Sequence, residues 1–408
     1  MAVQPTTALF TPEAFANPYP LYHAVRAEEP VSFNRLLPGW VAISYDTVAA
    51  VLRDPRMSAR RFFPNDPVPP GLEAVAEELR ASRHFRSLWI LFLDPPEHTR
   101  LRGLVSKAFT PAVVARMRDQ VQRLVDSLLD QVQARGEMDL IRDLAYPLPA
   151  TVISVMLGLP PEDRDRFKSW SDDMAASFTS FAAPDIVDRV RRSQRSQQAL
   201  ADYFHGLVEQ RRKRPSGDLL SALVAAEEQG DVLSEEELLA SCVLLLFAGH
   251  ETTTNLIGNG LLALLRHPDQ LQRLRDEPAL IASAVEELLR YDSPVQFTSR
   301  VTPDEVELGG KRIPKGELIT LMIGAANRDP AQFPDSDRLD LARRDNRHLS
   351  FAHGVHFCLG APLARLEGQI AISTVLRRLP RLRLVEQAPP RWGTNLILRG
   401  LESFPVRF

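Results

Sequence analysis

The stretch FAHGVHFCLGAPLARLE, Phe351 to Glu367, sets one cysteine between glycines and directly ahead of a helical pattern. Cys358 is one of only two cysteines in 408 residues. Two thiols are too few for a disulfide framework and fit a reducing cytosol. The other, Cys242, sits in the apolar run SCVLLLF and reads as a small buried side chain. Cys358 stands differently. Gly354 and Gly360 give its loop turn conformations and clearance for close backbone approach to a flat ligand. The pattern APLARLEGQIAISTVLRRL that follows directs a helix N-terminus at the sulfur, which favours thiolate. A thiolate so displayed suits ligation of iron in a macrocycle. The competing reading is a buried structural cysteine in a glycine-containing loop.

Working outward, a second polar island stands in an apolar run: AGHETTT, Ala248 to Thr254, between SCVLLLFAG and NLIGNGLLALL. Ser234 with Glu237 forms a capping box and Pro268 ends the pattern, so a helix of roughly 50 Å carries the island at its middle. His250-Glu251 resembles the start of the zinc-protease pattern H-E-x-x-H. Thr254 occupies the second histidine position, so that reading fails. Threonines bonding back to the preceding turn are the plain structural alternative, and they do not explain polar groups gathered beside Gly249.

The pattern F-x-x-G-x-H-x-C-x-G, with Phe351, His356, Cys358 and Gly360, resembles the heme-binding signature of the cytochrome P-450 monooxygenases. Five fixed residue types would match by chance in about one in 10⁴ chains of this length. Further elements of the resemblance occur in order. EELLR (Glu286 to Arg290) supplies an E-x-x-R pair, Glu287 and Arg290, which in the family joins an arginine of the following irregular segment, here read as Arg338. DPPEHTRLRGLVSKAFTP resembles the start of the family's third helix, with Asp94 as cap. His98 and Arg102 fall one turn apart where the family holds a heme propionate, and Arg300 and His356 resemble its other propionate partners. Two departures stand out: Ala352 where glycine is frequent, and Leu339 where phenylalanine is frequent.

The resemblance spans nearly the whole chain and implies a mainly α fold with small β-sheets, heme b (iron protoporphyrin IX) lying between a long central helix and the cysteine loop. Ala248, Gly249, Glu251 and Thr252 match the family's A-G-x-[DE]-T. It implies that Gly249 leaves room for dioxygen, and that Thr252 bonds Ala248's carbonyl and opens the helix to water. Glu251 then relays the protons that dioxygen cleavage consumes, while Cys358 pushes from the other face. His250 is given no firm role, a solvent-facing or a gating position both being open. Thr253, Thr254 and Asn255 are read as packing residues. A substrate pocket is implied near Trp89, Ile90, Phe92, Phe178, Leu244, Val295, Phe297 and Leu396, and these apolar residues suit a hydrophobic, medium-sized substrate.

Composition agrees with a globular protein: 44% hydrophobic, 25% charged, net charge −3. Neither nucleic acid nor a membrane surface is implied, and no apolar run is long enough to span a bilayer. No signal peptide pattern is visible, so a cytoplasmic location is expected. Helical periodicity dominates, as in Val114 to Gly136, and strand signals fall at Pro30 to Ser44 and around Gly309-Gly310. With no linker or repeat, a single domain over 1–408, monomeric, is the simplest expectation. No flavin, nicotinamide or iron–sulfur fingerprint is present. Electrons are therefore expected from a separate ferredoxin and ferredoxin reductase, with Arg343, Arg344, Arg347 and Arg365 as a possible basic dock. The alternatives are a peroxide-driven peroxygenase and a heme-binding sensor without turnover; the Glu251-Thr252 pair favours O2 chemistry over both.

Overall fold

The computed structural model describes residues 9–408 except 10, 35–36, 38, 63–65, 178–184 and 229–232. The chain divides into two compact units. One holds residues 1–57, 111–149 and 251–408; the other holds 58–110 and 150–250. Both are dominated by helices, as the periodicity predicts. No helix among the described residues is long and apolar enough to cross a membrane.

The central helix runs Glu235–Arg266, 32 residues, or about 48 Å. Its capping box is reciprocal: Glu237 N–H donates to Ser234 Oγ at 3.2 Å, and Ser234 N–H to Glu237 Oε2 at 2.9 Å. The helix contributes residues up to His250 to one unit and residues from Glu251 to the other. The pattern at Val114 to Gly136 becomes two helices, Pro111–Arg116 and Arg118–Gln133, interrupted at Met117. Val121, Val125, Leu128, Leu129 and Val132 form the buried stripe of the longer one, and Gly136 ends it with φ +67°.

In the unit that carries Cys358, strands β1 (Val31–Phe33), β2 (Trp40–Ala42), β3 (Thr298–Val301) and β6 (Leu318–Leu321) form a sheet in the order β1-β2-β6-β3. β1 and β2 pair antiparallel with Phe33 opposite Trp40. β4 (Val306–Leu308) and β5 (Lys311–Ile313) make the hairpin expected around Gly309 and Gly310, whose φ values of +57° and +74° are those of a type I′ turn. Three helices then meet at glycines. A Cβ at Gly368 of the cysteine helix (Ala361–Arg378) would lie 3.1 Å from Leu256 of the central helix. One at Gly260 would lie 3.1 Å from Leu288 of the helix Ile281–Tyr291 and 3.5 Å from Ile372. The cysteine helix is thus seated directly on the second half of the central helix.

The long segment after Arg328 carries no regular structure, and a buried ion cluster holds it. Glu287 and Arg290 are both fully buried. Arg290 Nε and Nη2 donate to the two Glu287 oxygens at 2.8 Å, and Arg290 Nη1 donates to the carbonyls of Asn327 and Ser336. The third partner is Arg343, whose Nε donates to both Glu287 oxygens at 3.2 Å. This corrects the expectation for Arg338, which contributes only its carbonyl, accepting from Arg290 Nη2 at 3.1 Å. The Asp340 N–H and Asn346 Nδ2 complete the shell of Glu287. Every lone pair is occupied, the condition under which buried charge is tolerated.

Ala352, the departure from glycine, has φ +56°. That conformation costs a non-glycine residue about 1–2 kcal/mol. Ala352→Gly should therefore stabilise the chain by up to about 1 kcal/mol, the gain being reduced by glycine's greater freedom when unfolded. A thermal unfolding midpoint no higher than that of the parent would contradict this.

Candidate active site

The cysteine loop closes on itself through one backbone bond: Cys358 N–H donates to the Phe351 carbonyl at 2.9 Å. Gly354 is obligatory for the chain's own packing, since with φ +71° its Cβ would lie 2.7 Å from the Leu52 carbonyl oxygen. Gly360 is different. Its φ of −82° suits any residue, and a Cβ there would meet no atom within 4 Å. Nothing among the described residues demands glycine at 360, so what the position offers is clearance two residues from Cys358. Cys358 is exposed, and so are its apolar neighbours Val355 and Phe357, 46% and 38% accessible. A displayed thiol with a missing Cβ on one side and bare apolar side chains on the other fits a flat, apolar, metal-bearing group. Cys242, in contrast, is fully buried, and burial pushes its thiol far above the usual range.

Phe351 is buried beneath this loop. Its ring lies 5.9 Å from the His348 ring and 6.3 Å from that of Phe357, and the Arg365 guanidinium sits 4.6 Å above it. Arg365 in turn donates from Nε and Nη2 to the two oxygens of Glu286 at 2.7 and 2.8 Å. Burial opposes ionisation of Glu286, but the donors Arg365 and His348 outweigh it and hold the carboxyl down at about 2.

On the central helix the island is a window. Ala248 is exposed, and Gly249, Glu251 and Thr252 are half-buried, while Phe247, His250 and residues 253–264 are buried. The helix continues through the window without a π turn, so the opening expected at Ala248 is not a break in it. The structure bears on two of these positions. The space left by Gly249 is taken by Ile153, whose Cγ1 would lie 2.9 Å from a Cβ there; this glycine serves the packing of the helix Pro147–Leu157. His250 is 1% exposed, not solvent-facing, and its Nδ1 donates to the Leu246 carbonyl at 2.7 Å. The packing residues Thr253, Thr254 and Asn255 are buried.

The propionate candidates fall in both units. Arg300 lies on β3, 4% exposed, with Nη1 donating to the Ser299 carbonyl, and His356 is half-buried in the turn Gly354–His356. His98 (buried) and Arg102 (half-buried) belong to the other unit, one turn apart on the helix Glu97–Val105 as their spacing predicts. The Asp94 carbonyl accepts the His98 N–H at 2.9 Å at the start of that helix, but its carboxylate does not cap it, accepting instead from Ser58 Oγ and the Ala59 N–H and tying down the preceding loop.

Of the pocket residues, Trp89 stacks on Phe92 at 5.9 Å and tilts against Phe247 at 6.1 Å, with Leu244 buried and Ile90 half-buried in the same unit. In the other unit, Phe297 and Leu396 pack against the cluster around Tyr22, Val41 and Met322, and Val295 against that around Val48 and Leu321. Phe178 lies outside the described residues. The four arginines expected to dock a ferredoxin separate cleanly. Arg343 is consumed by Glu287 and Arg365 by Glu286, whereas Arg344 and Arg347 are exposed. Glu286, His348 and the structural role of Arg343 escape sequence reading, because nothing in their spacing distinguishes them from other charges of the same loops.

An exposed thiol on a backbone-closed loop, in a helical fold whose longest described helix opens a small polar window, fits a heme-thiolate protein. The family comparison agrees: a profile described as cytochrome P450 matches residues 74–391. Cytochrome P450 CYP107DY1 of Priestia megaterium is 42% identical over 377 residues, covering 91% of this chain and 90% of that protein. The biotin biosynthesis cytochrome P450 of Bacillus subtilis is 40% identical over 419 residues, covering 100% of both. Among solved structures, the myxobacterial cytochrome P450 CYP267B1 in complex with myristic acid superposes with a TM-score of 0.88 at 41% identity, covering 98% of this chain and 99% of that one. The chain belongs to the cytochrome P450 family; it is an oxidoreductase of the monooxygenase class that binds heme b.

Proposed function

We propose that this chain inserts one oxygen atom from O2 into a hydrophobic, medium-sized organic substrate, by hydroxylation or epoxidation. Electrons come from a separate ferredoxin and its reductase in the cytoplasm, and the 1–408 chain acts as a single, monomeric catalytic domain. The observation that carries this reading is the window on the central helix, where an acid and an alcohol are adjacent and half-exposed in an otherwise buried segment.

Heme held by Cys358 supplies electron uptake and the activation of dioxygen. The protein supplies protons and orientation. Thr252 Oγ1 donates the hydrogen bond on the oxygen side, and the Glu251 carboxyl passes protons from solvent to that hydroxyl. Arg300 and His356, with His98 and Arg102, hold the propionates by charge-assisted hydrogen bonds. The aromatic face of Trp89 and Phe92 with Leu244, and the apolar side chains of Val295, Phe297 and Leu396, offer an environment that a chain or ring substrate enters by losing water. The myristic acid in the CYP267B1 structure is a substrate-sized molecule of this chemistry.

The test is product formation with reduced ferredoxin and O2 against peroxide alone, using a substrate chosen from a library by the heme spin-state shift. Turnover with peroxide only would replace this reading by a peroxygenase, and no turnover in either arm by a heme-binding sensor. Arg344→Glu with Arg347→Glu should slow reduction by ferredoxin about tenfold or more at low salt while leaving heme content unchanged. Equal rates would remove these two residues from the dock.

A further inference from the structure

The helix Ile281–Tyr291 carries two adjacent glutamates with different duties. Glu287 anchors the irregular segment, as described above. Glu286 reaches the cysteine loop instead. Its two oxygens take the bidentate fork of Arg365 at 2.7 and 2.8 Å, and Oε2 also accepts from His348 Nε2 at 3.1 Å. The Ser350 N–H donates to His348 Nδ1 at 3.2 Å, which assigns the ring proton to Nε2. The imidazole is therefore fixed as a donor to Glu286, and Glu286 is fixed under Arg365. The guanidinium then stacks on Phe351 at 4.6 Å, and the Phe351 carbonyl is the acceptor of the Cys358 N–H at 2.9 Å. A placed positive charge thus stacks on the residue whose carbonyl holds the Cys358 N–H, and Glu286 is its counter-charge.

We infer that Arg365 and Glu286, oriented by His348, form a charge pair that sets how strongly Cys358 donates to the heme iron, and so sets the reduction potential of the enzyme. This rests on the heme-thiolate reading and extends it to residues outside the heme-binding signature. Arg365 and Glu286 act through Phe351 and the loop; they are positioning residues. Positive charge near a thiolate stabilises the extra electron of the reduced state, and a carboxylate beside that charge cancels part of the effect. Hydrogen bonding to Glu286 pushes the Arg365 guanidinium above its usual range against burial, and the negative sulfur of Cys358 acts in the same direction. The pair is half-buried, so its field is only partly screened.

The two partners therefore have opposite expected effects. Arg365→Gln should lower the ferric/ferrous midpoint of the heme-loaded enzyme, decreasing the ferrous-to-ferric ratio at fixed potential by about three- to tenfold. Glu286→Gln should raise it by a similar factor, because Arg365 is then uncompensated. The double variant should return close to the parent, and Arg365→Lys, which keeps the charge but not the fork, should stay nearer the parent than Arg365→Gln. A purely structural role predicts shifts of one sign in both single variants, from loosening of the same loop, and that result would overturn the proposal. Should Arg365→Gln fail to load heme, Glu286→Gln decides alone: a midpoint that falls or does not move refutes it. The ferrous carbon monoxide spectrum of the parent, recorded first, tests the thiolate reading separately. A parent spectrum without thiolate ligation would sink that reading, whereas a thiolate-type parent with unmoved midpoints would sink only this inference.

Discussion

Glu287→Ala should yield a chain that is destabilised by about 3–5 kcal/mol and retains little heme. The carboxylate is fully buried and accepts from two guanidiniums, a side-chain amide and a backbone N–H. Its removal leaves Arg290 charged in the interior with only carbonyl partners and a stacking contact on Phe333 at 5.3 Å. It also unfastens Arg343 and the backbone at Asp340, so the segment leading to His348 and the cysteine loop loses its anchor. Heme content per chain and the urea midpoint are the measurements. Retention of full heme content with a loss of unfolding free energy below about 1 kcal/mol, taken from the urea curve, would mean that the cluster is not the anchor described here. Arg338→Ala provides the contrast: only its backbone carbonyl takes part, so its cost should stay within about 0.5 kcal/mol.

Thr252→Ala should leave heme binding and oxygen consumption largely intact while product per electron falls by about tenfold or more, with peroxide taking up the difference. Thr252 is half-buried in the window and alanine favours a helix, so the fold is not at risk. What is lost is the hydroxyl to which the proposed function assigns proton delivery. Thr252→Ser restores a hydroxyl at the same atom and should recover most of the coupling. Full coupling in the alanine variant would take the alcohol out of the proton path and leave Glu251 to act through water.

The motifs that could be picked out without a structure share one property: their residues are close in sequence. Cys358, Phe351, His356 and Gly360 fall within ten residues, and Glu287 with Arg290 within one helical turn. Reading failed where the partner is distant in sequence. Arg338 and Arg343 both lie in the irregular segment far from EELLR, and only the folded chain shows that Arg343 brings its side chain to Glu287 while Arg338 brings its carbonyl to Arg290. For Gly249 the family resemblance implies room for dioxygen, yet the side chain that faces its missing Cβ is Ile153, far away in sequence. Asp94 looked like a cap because it precedes a helix, but Ser58 and Ala59 claim its carboxylate.

The amino-acid sequence by itself determined the family and the helical class, and it singled out Cys358 and the Glu251-Thr252 pair as candidates, since these depend on residue type, periodicity and local spacing. Tertiary structure alone decided which arginine meets Glu287, why Gly354 and Gly249 cannot carry a side chain, and that Glu286 rather than solvent receives Arg365. The physical reason is that burial and hydrogen bonding between distant segments are properties of the closed chain: a charge's partner is whichever group the backbone brings within about 3 Å, and linear order does not encode that distance.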